Sequence, residues 1–227
     1  MSETPFLVLP CRRSAPLAEL AVRTADRMLE KIPSAFRECA AREVAAPRLS
    51  YSAGKVALAA ADLFDGKIRT VTFHGLSGAG KTTGAALFVG ELARLVRTCF
   101  AAAERDPLGR SLAFWDYAVE WAAADDIVAE ADYADPKEGE PELARAMRVA
   151  PIAIVDDIGN ERGRFAGSNG IPVRIVQARY NVAELYTVVT SGLTSKETED
   201  RWGIGFARRL ADTKNPRHRL IGAERSR

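Results

Sequence analysis

A chain of 227 residues, 47% hydrophobic and 27% charged, has the balance of a globular protein with one sizeable core and a small appendage, and is too short for two full domains. No stretch approaches the ~18 consecutive apolar residues of a membrane span, and the start, Met1-Ser2-Glu3-Thr4-Pro5, lacks the charged start and apolar run of a signal peptide, so a cytoplasmic protein without membrane contact is expected. Cys11, Cys39 and Cys99 are scattered, and with only His74 and His218 besides they argue for reduced thiols and against a zinc site; the net charge of +2 conceals 12 acids against 5 bases over residues 101–150 and 8 bases against 2 acids over 201–227.

Behind Pro16, the residues Leu17, Leu20, Ala21, Thr24, Ala25, Met28 and Leu29 recur at helical spacing, predicting an amphipathic helix up to Ile32-Pro33. Its apolar stripe either docks on the protein's own core or serves a partner. A second helix is expected over 51–65, stopped at Gly66, and a β-rich run, Thr70 to His74, follows. Thr83 to Thr98 has the Ala/Leu/Val content of a helix packed on a sheet, Ser111 to Trp115 looks like a second strand, and 117–131 reads as an Ala-rich helix. Residues 132–141 read as an exposed loop, 151–155 and 186–190 as buried strands, 160–172 as a mobile loop, and 219–221 as a short fifth strand. The strand-helix alternation predicts an α/β fold with a parallel sheet and crossover helices. A short N-terminal helical extension occupies 1–50 in this reading, as a possible partner-binding segment, and the nucleotide-binding domain 51–227.

Between the first strand and its helix stand Gly75, Leu76, Ser77, Gly78, Ala79, Gly80, Lys81 and Thr82, followed by Thr83: a complete G-x-x-x-x-G-K-[ST] phosphate loop. The glycines let the backbone curl so that successive N–H groups face the phosphates, Lys81 brings a compact positive charge to the β- and γ-phosphates, and Thr82 offers a hydroxyl to Mg²⁺. ATP with Mg²⁺ is the expected ligand. The apolar run Ile152 to Val155 ends in Asp156-Asp157, which places two carboxylates at the carboxyl edge of a parallel sheet, where ligands bind in such folds. Asp156 is the candidate metal ligand alongside Thr82, and Asp157 the candidate for polarising the attacking water.

Together with these, Ile32-Pro33-Ser34-Ala35-Phe36-Arg37, Ile154 to Gly159, Ala178-Arg179-Tyr180, Thr190-Ser191-Gly192-Leu193 and Ala207-Arg208-Arg209-Leu210 stand in an order that resembles the DnaC/IstB family of AAA+ ATPases, the replicative-helicase loaders and transposition helper ATPases. The resemblance covers about residues 30–227 and rests on these separate motifs in the family's order; individually only the two Walker motifs, Gly75 to Thr82 and Ile154 to Gly159, are strong, and the ordered set is specific. It implies a three-layer P-loop NTPase of the AAA+ type around a five-stranded parallel sheet with a reduced or absent helical lid. It further implies an ATPase that self-assembles on DNA and works with a replicative helicase or, in the alternative, with a transposase. Single-stranded DNA is the favoured form.

Lys81, Asp157 and Arg209 are the catalytic residues that the resemblance implies, Arg209 as an arginine finger acting on the γ-phosphate of an adjacent subunit in a homo-oligomer. Two departures stand out. Gly192 occupies the position of the family's sensor asparagine, with Ser191 as a possible substitute, and Arg208 replaces the serine before the finger. A switch that binds ATP and barely hydrolyses it is therefore a further reading. Arg225 or Arg227 faintly resembles a second phosphate sensor, and Trp115, Tyr117 and Trp121 are candidates for stacking single-stranded bases.

Overall fold

The computed structural model describes residues 17–41, 52–135, 137, 139–163, 170–211 and 215–222. Helix α1 (Leu17–Glu30) buries Ala21, Thr24, Ala25 and Met28, the stripe expected from their spacing, and α2 (Ser34–Ala40) follows a corner at Pro33. Arg37 closes that corner by donating from Nε to the carbonyl of Ile32 at 2.8 Å and from Nη2 to that of Glu30 at 2.6 Å. The Ile32-to-Arg37 motif is thus, locally, a device that satisfies carbonyls left over where α1 ends.

Helix α3 (Ala53–Phe64) leads to strand β1 (Thr70–His74), which passes through the phosphate loop into the long helix α4 (Lys81–Phe100). Both α1 and α2 pack on α4, so the apolar stripe of α1 is covered by the protein itself. Gly90 makes the approach of α2 possible: a Cβ there would lie 2.2 Å from the carbonyl oxygen of Ala40. The boundary expected near residue 50 falls outside the described residues.

The next stretch corrects the sequence reading. Ser111 to Trp115 is not a strand: Leu112–Asp116 is a short helix, α5, and the second strand, β2, is Val119–Ala123, inside the segment expected to be helical; α6 then begins at Ala124 and runs to Tyr133. A short apolar run fits either state, and the sheet edge decides between them. Val119 to Ala123 pair in parallel with Ile152 to Asp156, and that ladder overrides the helical preference of an Ala-rich segment. Trp115 is wholly buried, stacked on Phe64 with ring centroids 5.2 Å apart, and Trp121 packs on the same core. Neither is presented for base stacking; Tyr117 alone of the three aromatics is exposed.

Helix α7 (Glu142–Val149), which the sequence pattern did not single out, precedes β3 (Ile152–Ile158). Then come α8 (Ile171–Tyr180), β4 (Tyr186–Ser191), α9 (Ser195–Trp202), α10 (Ile204–Ala211) and β5 (His218–Gly222). The region 160–172 is described only up to 163 and from 170, where the chain enters α8, with Pro172 in its first turn. All pairings are parallel and the order is β2-β3-β4-β1-β5, so α/β crossovers return each strand to the same edge.

Alternation along β3 splits the interior into two cores. Ile152 and Ile154 join the layer of α1 to α5, while Ala153 and Val155 join that of α6 to α10. The result is a three-layer sandwich with the carboxyl ends of the strands at one edge.

Candidate nucleotide site

At that edge the chain leaves β1 through Gly75, whose N–H bonds the carbonyl of Ser191 at the end of β4 at 3.3 Å, so the loop is tied to the sheet where it starts. Gly78 and Gly80 adopt φ of +78° and +79°, a left-handed backbone that side chains disfavour. Helix α4 opens at Gly80 with no side-chain cap. Its first-turn N–H groups have no partners within the helix, and with the helix dipole behind them they form a cradle for an anion. Leu76 at the loop tip is 77% exposed. Lys81 is buried, and its ammonium folds back onto the carbonyl of Leu76 at 3.2 Å, across the turn a phosphate would fill.

The second half of the site is built by β3 and β4. Thr82 donates from Oγ1 to Oδ1 of Asp156 at 3.1 Å, so the phosphate-loop hydroxyl and the first acid of the pair already converge. Thr190, wholly buried, donates to the same oxygen at 2.6 Å and accepts from the backbone N–H of Asp157 at 2.7 Å. Burial pushes the Asp156 carboxyl up from its ordinary value, against the hydrogen bonds from Thr190 and Thr82 that favour the charged form. A dication is what such a half-satisfied buried carboxylate accommodates, and hydroxyl plus carboxylate oxygen is the donor set Mg²⁺ takes.

Asp157 departs from the strand. The β3–β4 ladder is irregular between Val155 and Ile158, and Asp157 has φ of +57°, alone among the described non-glycine residues in being left-handed. A bulge of this kind re-aims a side chain, and Asp tolerates the conformation better than most residues. One of its carboxylate oxygens, Oδ1, accepts from Asn160 Nδ2 at 2.8 Å.

Gly192 lies beside the phosphate-loop lysine: a Cβ added there would be 3.8 Å from Lys81 Nζ and would meet no other obstacle. The position therefore accepts a Cβ that this sequence does not supply. Ser191 does not replace it. Its hydroxyl is buried, donates to the carbonyl of Ile158 at 3.0 Å and accepts from the N–H of Leu193 at 3.2 Å.

The remaining candidates are not gathered here. Arg208 is exposed on α10, and the Arg209 guanidinium lies 5.5 Å above the ring of Tyr180, at the far end of α8. Arg225 and Arg227 fall outside the described residues. Arg179 of the Arg-Tyr pair belongs to the opposite sheet edge, where it is 1% exposed. Thr190 enters the sequence reading only as the first residue of the Thr190-to-Leu193 motif, with no role assigned to it; the structure makes it a member of the site.

No family model matches the chain, and no curated protein matches it in sequence. Among solved structures it is similar to the DnaC helicase loader, with 14% identity over 74% of this chain and 85% of that one at a TM-score of 0.51. It is similar to DnaI, with 16% identity over 87% of this chain and 96% of that one at a TM-score of 0.55. It also resembles AMPPCP-bound DnaA from Aquifex aeolicus, with 14% identity over 85% of this chain but 51% of that one at a TM-score of 0.53. At such identities the likeness shows the fold alone: helices on both faces of a five-stranded parallel sheet.

Proposed function

We propose that this chain is an ATPase of the helicase-loader type, which binds ATP with Mg²⁺, assembles with further copies of itself on DNA, and acts there with a replicative helicase. The observation that carries the reading is the convergence of Thr82 and Thr190 on one carboxylate oxygen of Asp156 beside the phosphate loop. Support for the loader assignment comes from the order of its motifs and from similarity to a helicase loader over most of both chains.

In this reading the backbone N–H groups of Gly78, Gly80, Lys81 and Thr82 and the Lys81 ammonium hold the triphosphate, the ammonium exchanging the Leu76 carbonyl for phosphate oxygens. Thr82 and Asp156 would hold Mg²⁺, which neutralises charge on the phosphate oxygens when bound. Asp157 accepts a hydrogen bond from the attacking water and orients it, with Asn160 fixing the other side of the carboxylate. Arg209 sits away from its own phosphate loop, over Tyr180, as a residue serving a neighbouring subunit would.

The test is the steady-state ATPase rate per subunit over a range of protein concentrations, without DNA and with single-stranded or duplex DNA. A rate that climbs with concentration and with one DNA form supports the reading, and Arg209→Ala is expected to keep ATP affinity while losing that climb. Equal stimulated rates in wild type and variant would remove Arg209 from the mechanism.

Gly192 favours a second reading, an ATP-dependent switch with little turnover, because the space beside Lys81 contains no side chain to orient water. Gly192→Asn separates the two. A variant whose turnover rises roughly tenfold, the lower end of what one positioned polar group contributes, identifies the wild type as a slow switch; an unchanged rate leaves the loader reading in place.

A further inference from the structure

The turn that carries Asp157 is clamped from outside the nucleotide site. Arg201, on α9, donates from Nη1 to the carbonyl of Gly159 at 2.5 Å and from Nη2 to that of Glu161 at 3.3 Å. The Glu161 carboxylate, only 1% exposed, accepts from the N–H of Gly159 through Oε2 at 2.5 Å, while Oε1 faces Arg201 Nη2 at 3.5 Å and makes no hydrogen bond among the described residues. A buried carboxylate held by one backbone N–H and one distant guanidinium is a costly arrangement for a mere surface turn. Asn160, between the two clamped residues, is the one that bonds Asp157.

The same helix is joined to the finger helix. Trp202 packs edge-on against Phe206 of α10 at 5.2 Å, and its ring edge lies 3.4 Å from where a Cβ of Gly159 would stand. Leu193, immediately after Gly192, fills the other side of Gly159. Trp202 and Arg201 thus form a line of contacts from α10 to the 157–161 turn that does not pass through the phosphate loop.

We infer that Arg201 and Glu161 are positioning residues that set the aim of Asp157, and that through them a subunit whose α10 engages its neighbour adjusts its own acid turn. This rests on the proposed ATP hydrolysis and adds a direction to it: assembly would be sensed at one face of a subunit and expressed at its own active site. The effect belongs to turnover and not to nucleotide affinity, because neither residue touches the phosphate loop or Asp156 in the hydrogen bonds described.

The experiment compares wild type, Arg201→Gln, Arg201→Lys and Glu161→Gln in the full chain. It reads kcat against protein concentration, affinity for a fluorescent ATP analogue, and amide hydrogen exchange over 157–162 and over 75–84. Expected for Arg201→Gln and Glu161→Gln is a roughly ten- to hundredfold lower kcat, the usual cost of misplacing a reacting group by a fraction of an ångström to one ångström. Analogue affinity should stay within about twofold, the exchange of 157–162 should accelerate while that of 75–84 is unchanged, and Arg201→Lys should recover part of the rate.

Loss of affinity in step with kcat, or unchanged exchange over 157–162, would overturn the inference. A wild type that binds the analogue yet hydrolyses nothing would sink the hydrolysis reading instead. In that case the clamp is judged by exchange alone: exchange over 157–162 that changes on assembly in wild type but not in Arg201→Gln supports the link to α10, and exchange that is indifferent to assembly in wild type, or responds equally in Arg201→Gln, refutes it.

Discussion

The two edges of the sheet both bury charge and treat it in opposite ways. At the amino edge, Arg179 donates to the Thr187 hydroxyl and to the carbonyls of Met147, Arg148, Ala150, Pro151 and Tyr186, at 2.6 to 3.3 Å. Beside it Asp106 is fully used as well, accepting from the N–H groups of Leu108 and Arg110 at 2.9 Å, from Trp115 Nε1 at 3.1 Å and from the Arg110 guanidinium. At the carboxyl edge, Lys81 has a single loop carbonyl and Asp156 rests on two hydroxyls. Saturated buried charge fastens elements together; under-satisfied buried charge leaves bonding capacity for a ligand. Burial moves both groups against their charge, lowering Arg179 to about 10 and raising Asp156.

The largest effect should come from breaking the saturated side. Arg179→Lys leaves carbonyls at the end of α7 and the starts of β3 and β4 without donors, since three rotatable N–H groups cannot reproduce a planar fork. A loss of about 3 kcal/mol or more is expected, read as a lower urea midpoint at unchanged slope, with ATP-analogue affinity retained by the molecules that remain folded. If instead affinity falls and stability does not, the division between the edges is wrong.

Lys81→Ala tests the other side. Removing a charged donor from an unsaturated site should weaken ATP binding by roughly ten- to a hundredfold, the worth of a charge-assisted hydrogen bond, while the urea midpoint of the ligand-free protein moves little. Wild-type affinity would refute the phosphate-loop assignment. Thr190→Val, nearly the same shape, sharpens the comparison further, because it removes the donor to Asp156 and the acceptor for Asp157 together. It is expected to raise the Mg²⁺ concentration needed for half-maximal ATP binding several-fold and to cost about 1 kcal/mol of stability. Thr190→Ser should restore the Mg²⁺ dependence.

Legibility in the sequence followed the range of the interactions. The phosphate loop, the acid pair within β3 and the stripe of α1 were readable because each is a local pattern: glycines at fixed offsets, an apolar run ending in carboxylates, a 3.6-residue period. The strand at Val119–Ala123 was not, because its state is set by pairing with Ile152–Asp156, and Ser111 to Trp115, most of which belongs to helix α5, was mistaken for it on apolar content. Arg201 was invisible as a functional candidate, and Thr190, although it opens the Thr190-to-Leu193 motif, carried no sign of its role. Nothing near them in sequence distinguishes a strand threonine that bridges two aspartates, or a helical arginine that reaches the turn of another element.

Sequence alone thus determined that the chain carries a phosphate loop, that two carboxylates follow an apolar strand, and that strands alternate with helices, since backbone curl and side-chain period are written in neighbouring residues. Tertiary structure alone decided which acid meets Thr82, how Asp157 is turned out of its strand, where Arg179 spends its donors, and that α9 grips the acid turn. Those outcomes depend on contacts between residues far apart in the chain, whose distances are fixed only when the parallel sheet brings its carboxyl ends to one edge.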